Sequence, residues 1–378
     1  MFYTVFSTTD TPNMQWQSEL LEYSWKKAGQ QGALVRLVAT DHPERLPQHR
    51  FARSVATTPR EVNPETGDNY VPYNKPASLL EWLYAERPHG TVLLVDPDCV
   101  FRAPVNRNVA PGFPESQAWI GLRVRKPSGR SPFGLGTKYK FLSKHCVDTG
   151  TPAQPVMIPT LIHTMDLKRI CGRWLELSGY FREGTKSRDG GPMWESEMLA
   201  YVAAAAEYGL EHEVVSLGIC TNWPPKMAPD APVIHYCNAV LDEKGETIWS
   251  KLTYDPWAKV DASAVPEHDH GRDLIALVNE FARQMSPSRH AEAAIPQRRD
   301  DVLESRVGDE LMLQQRGTEQ GFWLNESGRI IWELCDGTRT IDQIEGELAA
   351  RFAGSEADVK SDLQSTIDHL CQAGVLKL

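Results

Sequence analysis

No apolar run in this chain approaches the roughly 18 consecutive residues that a helix needs to cross a bilayer. A paired Cys-x-x-Cys is also missing, and the seven cysteines are odd in number and widely scattered. That pattern suggests neither a zinc ribbon nor a disulfide framework, and a reducing compartment fits it best. Positive charge is in short supply: 40 Lys and Arg face 50 Asp and Glu, for a net charge of -10. Such a balance argues against general affinity for nucleic acid or for an anionic membrane. The first residues, Met1 to Phe6, read directly as a strand and lack the basic segment and long apolar stretch of a targeting signal. A cytoplasmic protein is the expectation.

What is present suggests two units. The length of 378 residues suits two or three domains. Phe2–Phe6 and Ala33–Val38 read as strands, and Gln17–Lys27 as a helix between them. Pro76 opens a second helix running to Glu86, because proline is tolerated in a first helical turn. Thr91-Val92-Leu93-Leu94-Val95 is a continuous apolar run, as expected of a strand buried on both faces. This alternation predicts an α/β fold with a mostly parallel sheet. A further helix is expected over Met193–Tyr208, and an apolar stripe from Leu274 to Met285 predicts the last helix of this unit. Between Arg123 and Lys144 a basic, glycine-containing stretch either closes over a bound diphosphate or is simply a solvated loop. The expected boundaries are 1–285 for the first domain, 286–302 for a linker and 303–378 for a small second domain.

Asp96-Pro97-Asp98 follows the buried run directly. Residues two apart on an extended chain point the same way, so both carboxylates should project from the carboxyl end of the strand. Open α/β sheets bind their ligands at that edge. Two carboxylates meeting there repel each other unless a cation sits between them. Mg²⁺ and Mn²⁺ prefer oxygen ligands and complete their shells with substrate phosphates, which predicts a divalent ion bridging a nucleotide diphosphate.

Other short motifs carry a resemblance. Met14-Gln15-Trp16-Gln17, Tyr23-Ser24-Trp25-Lys26-Lys27, Tyr73-Asn74-Lys75-Pro76, Glu81-Trp82-Leu83, Asp96-Pro97-Asp98, Trp194 to Tyr201, His235-Tyr236 and Val278-Asn279-Glu280 occur in order over residues 2–285. In this the chain resembles the plant and algal peptidyl hydroxyproline O-arabinosyltransferases and peptidyl serine α-galactosyltransferases. The resemblance implies a GT-A, Rossmann-like nucleotide-sugar domain, a UDP-sugar donor, Mn²⁺ or Mg²⁺, and retention at the anomeric carbon. By position it makes Asp96 and Asp98 metal ligands, with His235 completing the shell. Lys251 would neutralise the diphosphate, Asn74 and Lys75 would lie with the donor, and Thr8, Thr9 and Asp10 would contact the uridine. Glu197 is the first candidate for handling the reacting sugar, on the side of Trp194 if one helix carries both; Glu195 and Asp189 stand in reserve.

The C-terminal run from Phe322 to Thr338, with Ala373-Gly374-Val375-Leu376, resembles the PqqD-like domains that recognise the leaders of ribosomally made precursor peptides. Strand patterns at Glu310–Gln315 and Gly321–Leu324, with Gly317 between, predict a hairpin. Caps at Asn325, Thr340 and Ser355 announce three helices, giving a winged-helix-like unit. The resemblance implies strand addition of a leader along Leu311–Gln315 or Gly321–Leu324, beside a helix wall of Lys360, Gln364, Ile367 and Cys371. DNA binding is disfavoured, since residues 303–378 hold seven Lys or Arg against fourteen Asp or Glu. The expected function is therefore metal-dependent transfer of a sugar onto a precursor peptide, without nucleic-acid or membrane partners. The alternatives are a non-catalytic peptide escort and a glycosyltransferase acting on a glycan or small molecule.

Overall fold

The computed structural model describes residues 1–46, 51–118, 142, 145, 149–150, 153–185, 191–221, 230–237, 239–242, 244–253, 259–263, 265, 270–285, 295–308, 310–317, 321–351 and 356–377. Most of the basic stretch Arg123–Lys144 and the candidate Asp189 lie outside them. The chain divides into two units, Met1–Asn279 and Glu280–Leu378.

The first unit begins with β1 (Phe2–Thr9), α1 (Pro12–Lys27), β2 (Ala33–Ala39), β3 (Arg53–Thr57), α2 (Asn74–Ala85) and β4 (Thr91–Leu94). It continues with β5 (Cys99–Phe101), β6 (Glu115–Ala118), β7 (Val156–His163), α3 (Thr164–Gly184), α4 (Ser196–Glu207), β8 (Glu213–Val214) and β9 (Gly218–Cys220). Then come β10 (Val233–His235), β11 (Val240–Leu241), β12 (Thr247–Trp249) and α5 (His270–Met285), whose last six residues fall past the division between units. The main sheet has the order β3-β2-β1-β4-β7-β6-β8. Strands β3, β2, β1 and β4 are parallel, whereas β7 runs against both β4 and β6. The α/β class expected from the sequence is the one observed.

Strand alternation explains why this sheet carries apolar residues on consecutive positions. Val5, Val35, Val92 and Leu94 pack on one face with Trp82 of α2 and Trp174 of α3. Phe6, Leu34, Leu93 and Val95 pack on the other with Leu21 and Trp25 of α1. A strand with helices on both sides has no solvent face, so the polar half of the usual alternation disappears. Helix α1 starts at Pro12, five residues before the expected Gln17, because the Thr11 side chain accepts from the Met14 amide and Pro12 occupies the first turn.

The 21-residue α3 has no counterpart in the sequence reading. Its N-cap is His163, an uncommon capping residue, and Gly172 and Gly179 interrupt its helical signal. Helix α4 begins at Ser196 rather than Met193, so Trp194 precedes it.

The second unit holds β13 (Gln297–Arg298), β14 (Val302–Val307), β15 (Glu310–Gln315), β16 (Gly321–Leu324), α6 (Glu326–Leu334), α7 (Ile341–Arg351), α8 (Glu356–Gln372) and β17 (Leu376–Lys377). The expected hairpin is a three-stranded antiparallel sheet, β14-β15-β16. Part of the expected linker is strand as well, since Gln297 and Arg298 pair with Lys377 and Leu376. Leu313, Trp332, Ile344, Ile367 and Leu370 form a separate core. The Thr340 and Gln343 capping box forms in both directions.

Candidate active site

An open cleft of about 460 Å³ lies at the carboxyl ends of β1 and β4, within the size range of ligand sites. Its lining includes Thr8, Thr9, Asn74, Lys75, Asp96, Asp98, Glu195, Glu197, His235 and Lys251. Residues spread over most of the first unit therefore meet in one place. Asp10 is exposed and does not line the cleft; its carboxylate lies 3.5 Å from the Thr40 hydroxyl.

Asp96 and Asp98 both face His235, but not by the alternation of an extended strand. The Cys99 amide donates to the Asp96 carbonyl at 3.1 Å, so the pair sits in a tight turn leading from β4 into β5. His235 closes the group from β10, which pairs antiparallel with β5. Its Nε2 is 3.1 Å from Asp98 Oδ1 and 3.7 Å from Asp96 Oδ2. The Lys251 ammonium donates to the other oxygen of Asp98. Lys75, from the first turn of α2, bridges Asp96 Oδ1 at 2.8 Å and Glu197 Oε2 at 3.1 Å.

Three carboxylates thus face two lysines and one imidazole, all largely buried along the cleft. Burial works against every charge here, and the neighbours decide the outcome. Burial would raise the Asp98 pKa, yet His235 and Lys251 hold it far below the usual carboxylate range. Burial would lower His235, yet Asp98 above all carries it up to about 9. Lys75 and Lys251 are likewise raised by their carboxylates against the pull of burial. For Glu197 burial wins: its pKa is raised in spite of Lys75.

Supporting contacts fix Glu197 at the start of α4. The Tyr70 hydroxyl donates to the Trp194 carbonyl and accepts from the Glu197 amide at 3.1 Å. Arg182 lies over the Tyr70 ring, 4.1 Å from its centroid, and binds Asp68 through two nitrogens. Trp174 Nε1 donates to the Glu197 carbonyl at 2.9 Å. The expectation that one helix aligns Trp194 with Glu197 fails, because Trp194 is 67% exposed ahead of the helix while Glu197 is buried. Both still line the cleft. The Asn74 amide is engaged with the Arg60 backbone at 2.7 Å and with Glu61 at 3.2 Å.

Sequence reasoning missed Arg36, Tyr70, Cys220 and Cys237. Arg36 is fully buried in β2, where it donates to Thr8 at 3.0 Å and to Gln15 at 2.7 Å. A lone arginine inside Ala33-Leu34-Val35-Arg36-Leu37-Val38 was the available signal, since a charge in a doubly buried strand needs partners. Tyr70 and the two cysteines left none.

The fold and the site together describe an α/β domain with a carboxylate-rich, lysine-balanced cleft at the sheet edge. Residues 2–214 match the hydroxyproline O-arabinosyltransferase family N-terminal domain, and the chain belongs to that family. Residues 310–376 match the coenzyme PQQ synthesis protein D (PqqD) family. A peptidyl serine alpha-galactosyltransferase of Arabidopsis thaliana is 26% identical over 252 residues, which cover 62% of this chain and 30% of that protein. The hydroxyproline O-arabinosyltransferase NOD3 of Pisum sativum is 24% identical over 219 residues, covering 56% of this chain and 61% of that one. The chain therefore spans less than two thirds of either relative. Among solved structures, the galactosyltransferase LgtC with donor and acceptor sugar analogues is 12% identical, covering 75% of this chain and 96% of that one at a TM-score of 0.41. TbiB1 in complex with the TbiA(beta) leader peptide is 23% identical, covering 21% of this chain and 94% of that one at a TM-score of 0.20.

Proposed function

We propose that the first unit is a metal-dependent, retaining glycosyltransferase that moves a sugar from a UDP-sugar to a side chain of a precursor peptide. The observation that carries this reading is the meeting of Asp96, Asp98, His235, Lys75, Lys251 and Glu197 in one cleft. Both carboxylates approach one imidazole nitrogen, Asp98 at 3.1 Å and Asp96 at 3.7 Å, and a mixed oxygen and nitrogen donor set suits Mn²⁺ or Mg²⁺. When bound, the ion supplies Lewis-acid stabilisation of the departing diphosphate.

The chain's own residues supply the rest. Lys251, paired with Asp98, is within the cleft to meet the negative charge of a diphosphate, and Thr8 and Thr9, which end β1 and line the cleft, would contact the uridine. Glu197 is held by Lys75 on its side chain and by Tyr70 and Trp174 on its backbone. A carboxylate so fixed orients the sugar and stabilises positive charge at the anomeric carbon. In front-face transfer the bond from that carbon to the diphosphate oxygen breaks as the acceptor's bond forms on the same side. The leaving oxygen takes the acceptor's proton, so no separate base is required.

The second unit supplies the peptide grip. Strand β15 is interior, paired on both sides, which removes it as a docking edge. β16 has β15 as its only neighbour among the described residues, and Phe322 on it meets His369 of α8 with ring centroids 5.7 Å apart. A leader adding to β16 would satisfy the open edge and lie beside α8. The side chain of Lys360, expected in the helix wall, lies outside the described residues.

The decisive experiment incubates the full chain with Mn²⁺, a panel of UDP-sugars and a leader-bearing peptide. A gain of one sugar mass on the peptide is expected, with Asp98→Ala inactive. Undiminished turnover by Asp98→Ala would end the metal assignment.

A further inference from the structure

Three cysteines surround the imidazole that the carboxylates share. In the sheet β5-β10-β9, His235 is paired with Cys99 on one side and with Cys220 on the other. Residues paired across neighbouring strands project to the same face. Cys237 follows His235 by two positions, and its sulfur, that of Cys220 and a ring nitrogen of His235 all lie within 4.8 Å of one another. All three residues line the open cleft, so an ion has access. The imidazole also has spare capacity: its Nδ1 is buried and has no hydrogen-bond partner.

We propose that Cys220, His235 and Cys237 form a binding site for a thiophilic divalent cation of the zinc or cadmium class. Tetrahedral zinc holds thiolate sulfur at about 2.3 Å and imidazole nitrogen at about 2.0–2.1 Å, which sets ligand atoms roughly 3.5–3.8 Å apart. The observed cluster needs to contract by at most about 1.3 Å to reach that geometry. Both thiols give up their protons to the solvent as the metal–sulfur bonds form. The ligand sets sort ions by hardness, because thiolates favour zinc and cadmium whereas the Asp96 and Asp98 carboxylates favour magnesium and manganese. The sites share His235, and two divalent cations on one imidazole repel each other, so filling the sulfur site weakens ion binding at the carboxylates and inhibits transfer. This last consequence rests on the metal role proposed above; the binding site itself does not.

The test titrates the full chain with Cd²⁺ alone and follows thiolate-to-metal charge-transfer absorption in the ultraviolet. One equivalent should develop the band. The Cys220→Ser/Cys237→Ser variant should lose it, with cadmium affinity falling at least about 100-fold, more than the 10–100-fold typical of losing an outer-shell contact. Cys371→Ser, in the second unit, should titrate like the parent. Absence of the band, or its survival in the double variant, overturns the site. If the double variant fails to fold by circular dichroism, Cys237→Ser alone decides, and an unchanged titration is the overturning result. In a second arm Mn²⁺ binding is read from loss of the free-ion electron paramagnetic resonance signal, and cadmium should restore that signal. Manganese that stays bound overturns the competition. Manganese that never binds removes the carboxylate assignment, while the cadmium arm still decides the sulfur site.

Discussion

Lys75 reaches Asp96 and Glu197 together from a side chain only 12% exposed, and neither carboxylate has another described ammonium on it. Removing one partner of a buried ion pair leaves an uncompensated charge and costs about 3–5 kcal/mol. Lys75→Met should therefore lower the unfolding free energy by that order in urea titrations. Adding Glu197→Gln should restore part of the loss, and a double variant no more stable than the single one would show that the pair is not coupled. His212 offers a pH test away from the cleft. Burial lowers its pKa from 6.5 to about 4, and its Nε2 lies 2.8 Å from the Tyr201 hydroxyl. As pH falls below 6.5 the unfolded chain takes up a proton that the folded one refuses. The contribution is thus intact above pH 6.5 and is lost as pH drops toward 4, amounting to about 3 kcal/mol. His212→Gln should show a smaller drop in stability between pH 7 and pH 4.5, measured by denaturant unfolding at each.

At the scale of elements, the start of α4 depends on Tyr70. Its hydroxyl ties the Trp194 carbonyl to the Glu197 amide across a long sequence separation. Tyr70→Phe keeps the ring under Arg182 but releases that bridge. Small displacements of a positioned group cost up to about 100-fold in rate, so kcat should fall about 10-fold or more with KM little changed. A shift in KM alone would point to a substrate contact instead. In the second unit Thr340 caps α7 reciprocally with Gln343. Thr340→Ala should cost about 1 kcal/mol in the unfolding of that unit, while leaving transfer to a leaderless peptide unaffected.

At the scale of the whole molecule, the two units have separate cores and separate sheets. Residues 295–378 should fold alone with one cooperative transition and retain leader binding by calorimetry. Removal of 303–378 should leave donor hydrolysis near the full-chain rate and selectively reduce transfer to leader-bearing peptide. Tethering raises the local peptide concentration to the millimolar range, so the loss should be largest at micromolar peptide and vanish at saturation. Equal loss for leaderless peptide would show that the second unit is structural.

How much was legible follows from the range of each signal. The α/β class, the doubly buried Thr91–Val95 run, the Asn325 and Thr340 caps and the Asp96-Pro97-Asp98 motif are written in neighbouring residues, where side-chain period and capping chemistry act over a few positions. The long helix α3 was hidden behind a histidine cap and two glycines, and the third strand of the small sheet carried no alternation, with most of Leu303–Val307 facing outward. Asp96 and Asp98 both reach His235 from a turn, not through strand alternation, because the Cys99 amide bonds back to the Asp96 carbonyl. Only the tertiary structure brought Lys75, Glu197, His235 and Lys251 to those carboxylates, and only strand pairing set Cys220 against His235. Contacts between distant segments depend on sheet order and register, and these are chosen by the packing of the whole core, which no local stretch of sequence encodes.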